Sequence, residues 1–315
     1  MKKMLVIAGL LGGLLALPQG VQAQSTRTWV SGTGDDANPC SRTAPCKTFV
    51  GAVMKTAAGG EINCFDPGGF GAVTISRSIA IVCELGWAGS NGVTINAGPS
   101  DVVYLRGLDI TGLGAQGSGV NFVSGGALHV SNTVIHGFSG APAILVAPKT
   151  GTVEVFVADT TVRDNLCSNC AAIYIAPTGS GSVNTEIERS IIVNNGGGVR
   201  TNGQGGSGGL TTTLRNSVSS QNTSDGVASV SNGAAVRTYV IDSSINNNGV
   251  GLSANGSGAA LYLARSLMTN NSVGVAASGG TVYTYGDSRV INNVVEGATM
   301  TTVGPSPSVE RARPR

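Results

Sequence analysis

Between Val73 and Asn293 the chain repeats one pattern of apolar and polar positions: a short apolar strand, a small residue, a second apolar pair, then a turn rich in Gly and Asn. Aligned on the small residue, the repeats fall at Ser78, Gly107, Thr133, Thr160, Ser190, Ser217, Ser243, Ser266 and Ser288, at intervals of 29, 26, 27, 30, 27, 26, 23 and 22 residues. Loops that vary between strands of constant length produce this drift. A unit so short cannot bury its apolar side chains alone, so the pattern predicts a solenoid whose rungs stack into parallel sheets.

Three positions before each anchor lie Ile75, Tyr104, Val130, Val157, Ile187, Leu214, Val240, Leu263 and Tyr285, all apolar or aromatic. Strand side chains alternate faces, so this column is expected to point inward. Each fully buried Val, Leu or Ile there contributes about 1.5–3 kcal/mol. Five positions before the anchor, Val73, Val102, Leu128, Val155 and Leu261 share that parity, while Thr185, Thr212 and Thr238 weaken it in the middle rungs.

One position before the anchor, Arg77, Arg106, Asn132, Asp159, Arg189, Asn216, Asp242, Arg265 and Asp287 are all polar, which places a corner of the coil there. Rungs about 4.8 Å apart set Asp159 against Arg189, and Arg265 between Asp242 and Asp287. Each such exposed pair contributes at most about 1 kcal/mol. After the second apolar pair come Asn165, Asn194 and Asn195, Asn222, Asn246 to Asn248, Asn270 and Asn271, and Asn292 and Asn293. Asn tolerates left-handed backbone and its amide both donates and accepts, so a turn lined by an internal Asn ladder is expected. Lys47 to Ala58 is the one helical segment expected after residue 23. Its apolar face, Phe49, Ala52, Val53 and Thr56, is expected to cap the open end of the first rung.

Composition agrees with many short strands and tight turns: Gly is 48 of 315 residues and only 11% are charged. Lys2 and Lys3, the apolar run Met4 to Leu17 and the small-residue site Val21-Gln22-Ala23 read as a secretory signal peptide. The run is too short for a membrane span, so the protein is expected to be exported, periplasmic or extracellular. Of 19 basic residues, 17 remain without Lys2 and Lys3, against 17 acidic ones. That balance gives no electrostatic footprint for nucleic acid. Six cysteines in an exported chain point to disulfides. The expected pairs are Cys40 with Cys46, Cys64 with Cys83, and Cys167 with Cys170. The middle pair has the clearest reason, since both cysteines end strand-like segments one short rung apart.

The stretch Trp29-Val30-Ser31-Gly32-Thr33-Gly34-Asp35-Asp36-Ala37-Asn38-Pro39, then Ala44 to Phe49 and Ala57 to Ile62, resembles the N-terminal cap of pectin-lyase-like right-handed parallel β-helix proteins. Pro67-Gly68-Gly69-Phe70 and Val73 to Ile79 are similar to their first coil. The resemblance implies an all-β fold, a right-handed single-stranded parallel β-helix of about nine to ten rungs with a short N-terminal capping helix. The corresponding divisions are a signal peptide (1–23), a cap (24–60), the β-helix (61–298) and a disordered tail (299–315). The resemblance implies no single activity, because such proteins include polysaccharide lyases, hydrolases, epimerases, adhesins and members without a known reaction. Asp35 and Asp36 are the one adjacent acidic pair and lie in the cap, so no catalytic residue is carried over.

The densest charged patch is Glu186, Glu188 and Arg215, beside Asp159 and Arg189. Glu186 and Glu188 share an outer face about 6.6 Å apart, near the roughly 6.5–9.5 Å that inverting glycosidases use. Arg215 aligns with Glu188, so a cross-strand ion pair is the plainer account of both. Four positions before the anchor, the outward residues include His129, Phe156, Glu186, Thr213, Tyr239 and Tyr262. Phe156, Tyr239 and Tyr262 are candidates to stack on sugar rings, or simply on one another. Oxygens of Asp35, Asp36 and Asn38 are a candidate calcium site against the plainer reading of a polar turn. Cys167-Ser168-Asn169-Cys170 has the spacing of a zinc half-site, but His129 and His136 are the only histidines, so no metal or other cofactor is expected. The leading expectation is a non-enzymatic exported protein that binds a glycan or cell-envelope component. The alternative is a lyase or glycoside hydrolase acting on acidic polysaccharide.

Overall fold

The computed structural model describes residues 24–84, 88–90, 92–113, 117–168 and 170–304. The expected signal peptide, residues 1–23, lies outside them, as do 305–315. Among the described residues the strands form three parallel sheets of 12, 10 and 10 strands. Successive strands visit the first, second and third sheet in turn, as in Val102–Arg106, Leu108–Thr111 and Val120–Ser124, before the chain returns to the first. The fold is a parallel β-helix, with the right-handed sense that parallel crossovers take.

Inward positions explain why these residues stack. In the first sheet Leu105, Val130, Val157, Ile187, Leu214, Val240 and Leu263 form one continuous buried column. Ile110, Ile135, Val162 and Ile192 line the second sheet, and Val93, Val120, Ile144, Ile173 and Val199 the third.

Both corners are built from left-handed backbone. Gly107, Asn132, Asp159, Arg189, Asn216, Asp242 and Arg265 have φ between 42° and 71° at the first corner. The hydroxyl after each bend stitches the rungs: Ser190, Ser217, Ser243, Ser266 and Ser288 accept from the backbone N–H one rung earlier at 3.1–3.3 Å. At the second corner Asp164, Asn194, Gln221, Asn247, Asn270 and Asn292 take the left-handed position. The next residue points inward. Asn165, Asn195, Asn222, Asn248 and Asn271 each donate to the amide oxygen one rung on, ending at Asn293, at 2.9–3.1 Å along the axis. Each Oδ1 from Asn165 to Asn293 also accepts the backbone N–H one rung earlier, at 2.9–3.1 Å. The Glu296 carboxylate accepts the last Asn293 amide at 2.8 Å.

Several expected positions shift. Ser78 precedes its first-sheet strand, Ile79–Val82, and Ile75 belongs to the third sheet. In the next rung Gly107 occupies the left-handed corner and Leu108 the hydroxyl position, so Leu105 points inward and Tyr104 is 46% exposed. Tyr285 leaves the strand, and Thr284 pairs with Leu263. Arg77 and Arg106 therefore lie outside the corner ladder: Arg77 donates to Val53 O and Thr56 O at the end of the capping helix, and Arg106 pairs beside Ser131.

The helix spans Phe49–Lys55, shorter than expected. Thr48 caps its start by accepting from Gly51 N. Thr56 ends it in extended conformation, its buried hydroxyl shared with Thr28 and donated to Ala52 O. Phe49, Ala52 and Phe70 seal that end of the core. At the other end Thr301–Thr302 adds a strand to the first sheet within the segment expected as tail. Cys40–Cys46, Cys64–Cys83 and Cys167–Cys170 are disulfide-bonded.

Candidate functional site on the outer face of the first sheet

Strands Ser182–Glu188, Leu210–Arg215 and Val236–Ile241 pair in register, which sets Glu186, Thr213 and Tyr239 in one outward column. The column continues as Phe156, His129 and Tyr104 on one side and as Tyr262 and Tyr283 on the other. Tyr104, His129 and Phe156 stack at 4.5 and 4.6 Å with interplanar angles of 14° and 11°. Tyr239, Tyr262 and Tyr283 stack at 4.8 Å with angles of 17° and 14°. Burial between two rings holds the His129 imidazole below its ordinary pKa. Burial raises the Tyr262 phenol, and the two flanking tyrosines add to the rise.

Of the two readings given for these aromatics, the rings do stack on one another. Tyr262 spends both ring faces on its neighbours, so its edge and hydroxyl face outward. Tyr104 and Tyr283 were missed because their rungs are offset by one residue. The burial of Val103 and Leu105 on either side of Tyr104 is the alternation signal that finds it.

The charged patch assembles differently from the simple cross-strand pair. Glu188 and Arg215 are direct neighbours in register, yet the Glu188 carboxylate meets Arg189 at 2.8 Å. Arg189 also grips Asp159 through two hydrogen bonds of 2.8 and 3.0 Å. The bonds to Asp159, then that to Glu188, raise the guanidinium pKa, and the Arg189 bonds lower that of Asp159. Arg265 forms the same fork on Asp242 at 2.8 and 2.9 Å, and its backbone N–H donates to Asp287 at 2.9 Å. These corner pairs act as register clamps. Arg215 and Glu186 have no ion pair or side-chain hydrogen bond among the described residues, and the Arg215 Nε is buried without a partner.

The cap oxygens considered for calcium are otherwise engaged. Asp36 accepts from Lys47 N, Thr48 N and Thr48 Oγ1, which together lower its pKa against the opposing effect of burial. Lys55 Nζ donates to the Asp36 and Asn38 carbonyls. Among the described residues no group of three or more His, Cys, Asp or Glu converges as a metal site, and no helix is long and apolar enough to cross a membrane. A concavity of about 560 Å³ lies between the capping helix and the third sheet, walled by Val50, Met54, Thr74, Arg77 and Thr94. Arg77 there is committed to the helix carbonyls, so the concavity reads as the seam between cap and first coils.

No family model and no curated protein matches this chain. Among solved structures, a crystal structure of pectate lyase Pel9A aligns with a TM-score of 0.49 at 14% identity, covering 88% of this chain and 77% of that one.

Proposed function

We propose that the protein is an exported, non-enzymatic glycan-binding β-helix whose ligand face is the outer surface of the first sheet. The observation that carries this reading is the single outward column of six stacked rings, interrupted only by Glu186 and Thr213. The outer ring faces of Phe156 and Tyr239, the Glu186 carboxylate and the Arg215 guanidinium, neither of the last two in a close ion pair, together offer what a sugar needs: an apolar platform, an acceptor and a donor. Three disulfides support an oxidising compartment and hence export. Catalysis is disfavoured because Glu188, one of the two candidate carboxylates, is held in the Arg189–Asp159 clamp.

A second reading, a lyase or hydrolase on acidic polysaccharide, draws on Arg215, a cation without an ion pair beside Glu186 and Glu188. Glycan binding measured in parallel with reducing-sugar and unsaturated-product assays on polyuronates separates the two. Binding without turnover is expected. Product formation by the wild type that disappears in Glu188→Gln would overturn the non-enzymatic reading.

A further inference from the structure

We infer that the break in the aromatic column at Thr213 is a slot for one neutral pyranose ring, stacked parallel to the Tyr239 ring; this rests on the glycan-binding reading above. Each ring stack is nearly parallel, with centroid spacings of 4.5–4.8 Å, which match the rung spacing of about 4.8 Å. The rings therefore stack one per rung. Interior faces are covered. Two outer faces look into the break: that of Phe156 toward Glu186, and that of Tyr239 toward Thr213.

The break is two rungs deep, so Phe156 and Tyr239 stand about 14 Å apart along the column. Glu186 fills one layer with a long side chain. Thr213 is too short to fill the other, leaving a gap of one rung between Glu186 and the Tyr239 face. A pyranose chair is about as thick as that layer. Sitting there, it continues the Tyr239–Tyr262–Tyr283 stack as a fourth member.

The rim chooses the kind of ring. Glu186 is an acceptor without a hydrogen bond or ion pair, and Arg215, two residues along the strand from Thr213, is a donor without one. Glu186 and Glu188 on one side and Arg215 and Arg237 on the other line the rim with both signs of charge, and adjacent hydroxyls of a neutral hexose satisfy an acceptor and a donor together.

The test is saturation-transfer NMR on the full chain with methyl α-D-glucopyranoside, methyl α-D-mannopyranoside, methyl β-D-galactopyranoside and galacturonate. Transfer from tyrosine ring protons to at least one neutral glycoside is expected. Thr213→Phe completes the ladder, so it should fold with an unchanged or higher melting temperature and bind about tenfold more weakly or worse. Tyr239→Leu removes the stacking face and should weaken binding similarly, whereas Leu267→Ser on the second sheet should not. A folded Thr213→Phe that binds like wild type overturns the slot while leaving glycan binding elsewhere on the face intact. If that variant does not fold, unchanged binding by Tyr239→Leu overturns it instead. Preference for galacturonate refutes the neutral ring, and no transfer to any of the four sugars overturns both slot and function.

Discussion

Replacing Asn222 by Ala breaks the internal ladder at its middle, and the structure sets the size of the loss. Asn222 is 1% exposed. Its Nδ2 donates to Asn248 Oδ1 at 2.9 Å and Ser219 Oγ at 3.1 Å, and its Oδ1 accepts from both the backbone N and the Nδ2 of Asn195 at 3.1 Å. The Asn195 amide keeps other acceptors in the Val162 and Val193 carbonyls, but its backbone N–H loses its partner. A buried orphan N–H costs about 1–3 kcal/mol, and each remaining hydrogen bond about 0.5–1.5 kcal/mol net. With the cavity left by the missing amide, the substitution should destabilise by about 3–5 kcal/mol. Urea denaturation followed by circular dichroism measures the total, and hydrogen exchange at the Asn195 amide reports the local opening. A loss below about 1 kcal/mol with Asn195 still protected would refute the ladder as a stabilising element.

Three smaller outcomes follow from the same geometry. Thr185 Oγ1 is buried without a hydrogen-bond partner, so Thr185→Val should raise stability by about 1–2 kcal/mol in a thermal or urea melt. Thr212→Val should lower it, because that hydroxyl accepts from Thr201 at 2.8 Å. Burial depresses the His129 pKa from 6.5; the unfolded chain then binds the proton more readily, so stability holds above the ordinary histidine value and falls as pH drops through the folded one. His129→Phe should flatten that part of the stability–pH curve while keeping the stack.

Legibility in the sequence followed chemistry more than periodicity. The Asn ladder could be read because one residue type satisfies both requirements of that corner, a donor and an acceptor at every rung. The Arg189–Asp159 and Arg265–Asp242 clamps were readable for a similar reason: opposite charges one rung apart identify their own partners. Alignment on a small residue failed where small size served another purpose. Gly107 supplies left-handed backbone where other rungs use Asn, Asp or Arg, and Leu108 replaces the hydroxyl, so the rung was set one residue out and Tyr104 was placed in the core. Near the C-terminal end an extra residue between Thr284 and Ser288 hid Tyr283 in the same way. The candidate site was visible only as separate outward residues. Whether two aromatics offer faces to a ligand or to each other is a matter of rotamers and rung spacing, which no residue pattern encodes.

The most direct test is fluorine NMR of the protein labelled with 3-fluorotyrosine, its six tyrosines assigned by single Tyr→Phe variants and titrated with methyl α-D-glucopyranoside, methyl α-D-mannopyranoside and methyl β-D-galactopyranoside. A slot at Thr213 requires that Tyr239 shift first and furthest, Tyr262 and Tyr283 less, and Tyr104 and Tyr174 not at all. Shifts centred on Tyr104 or Tyr174, or none with any of the three sugars, would contradict it.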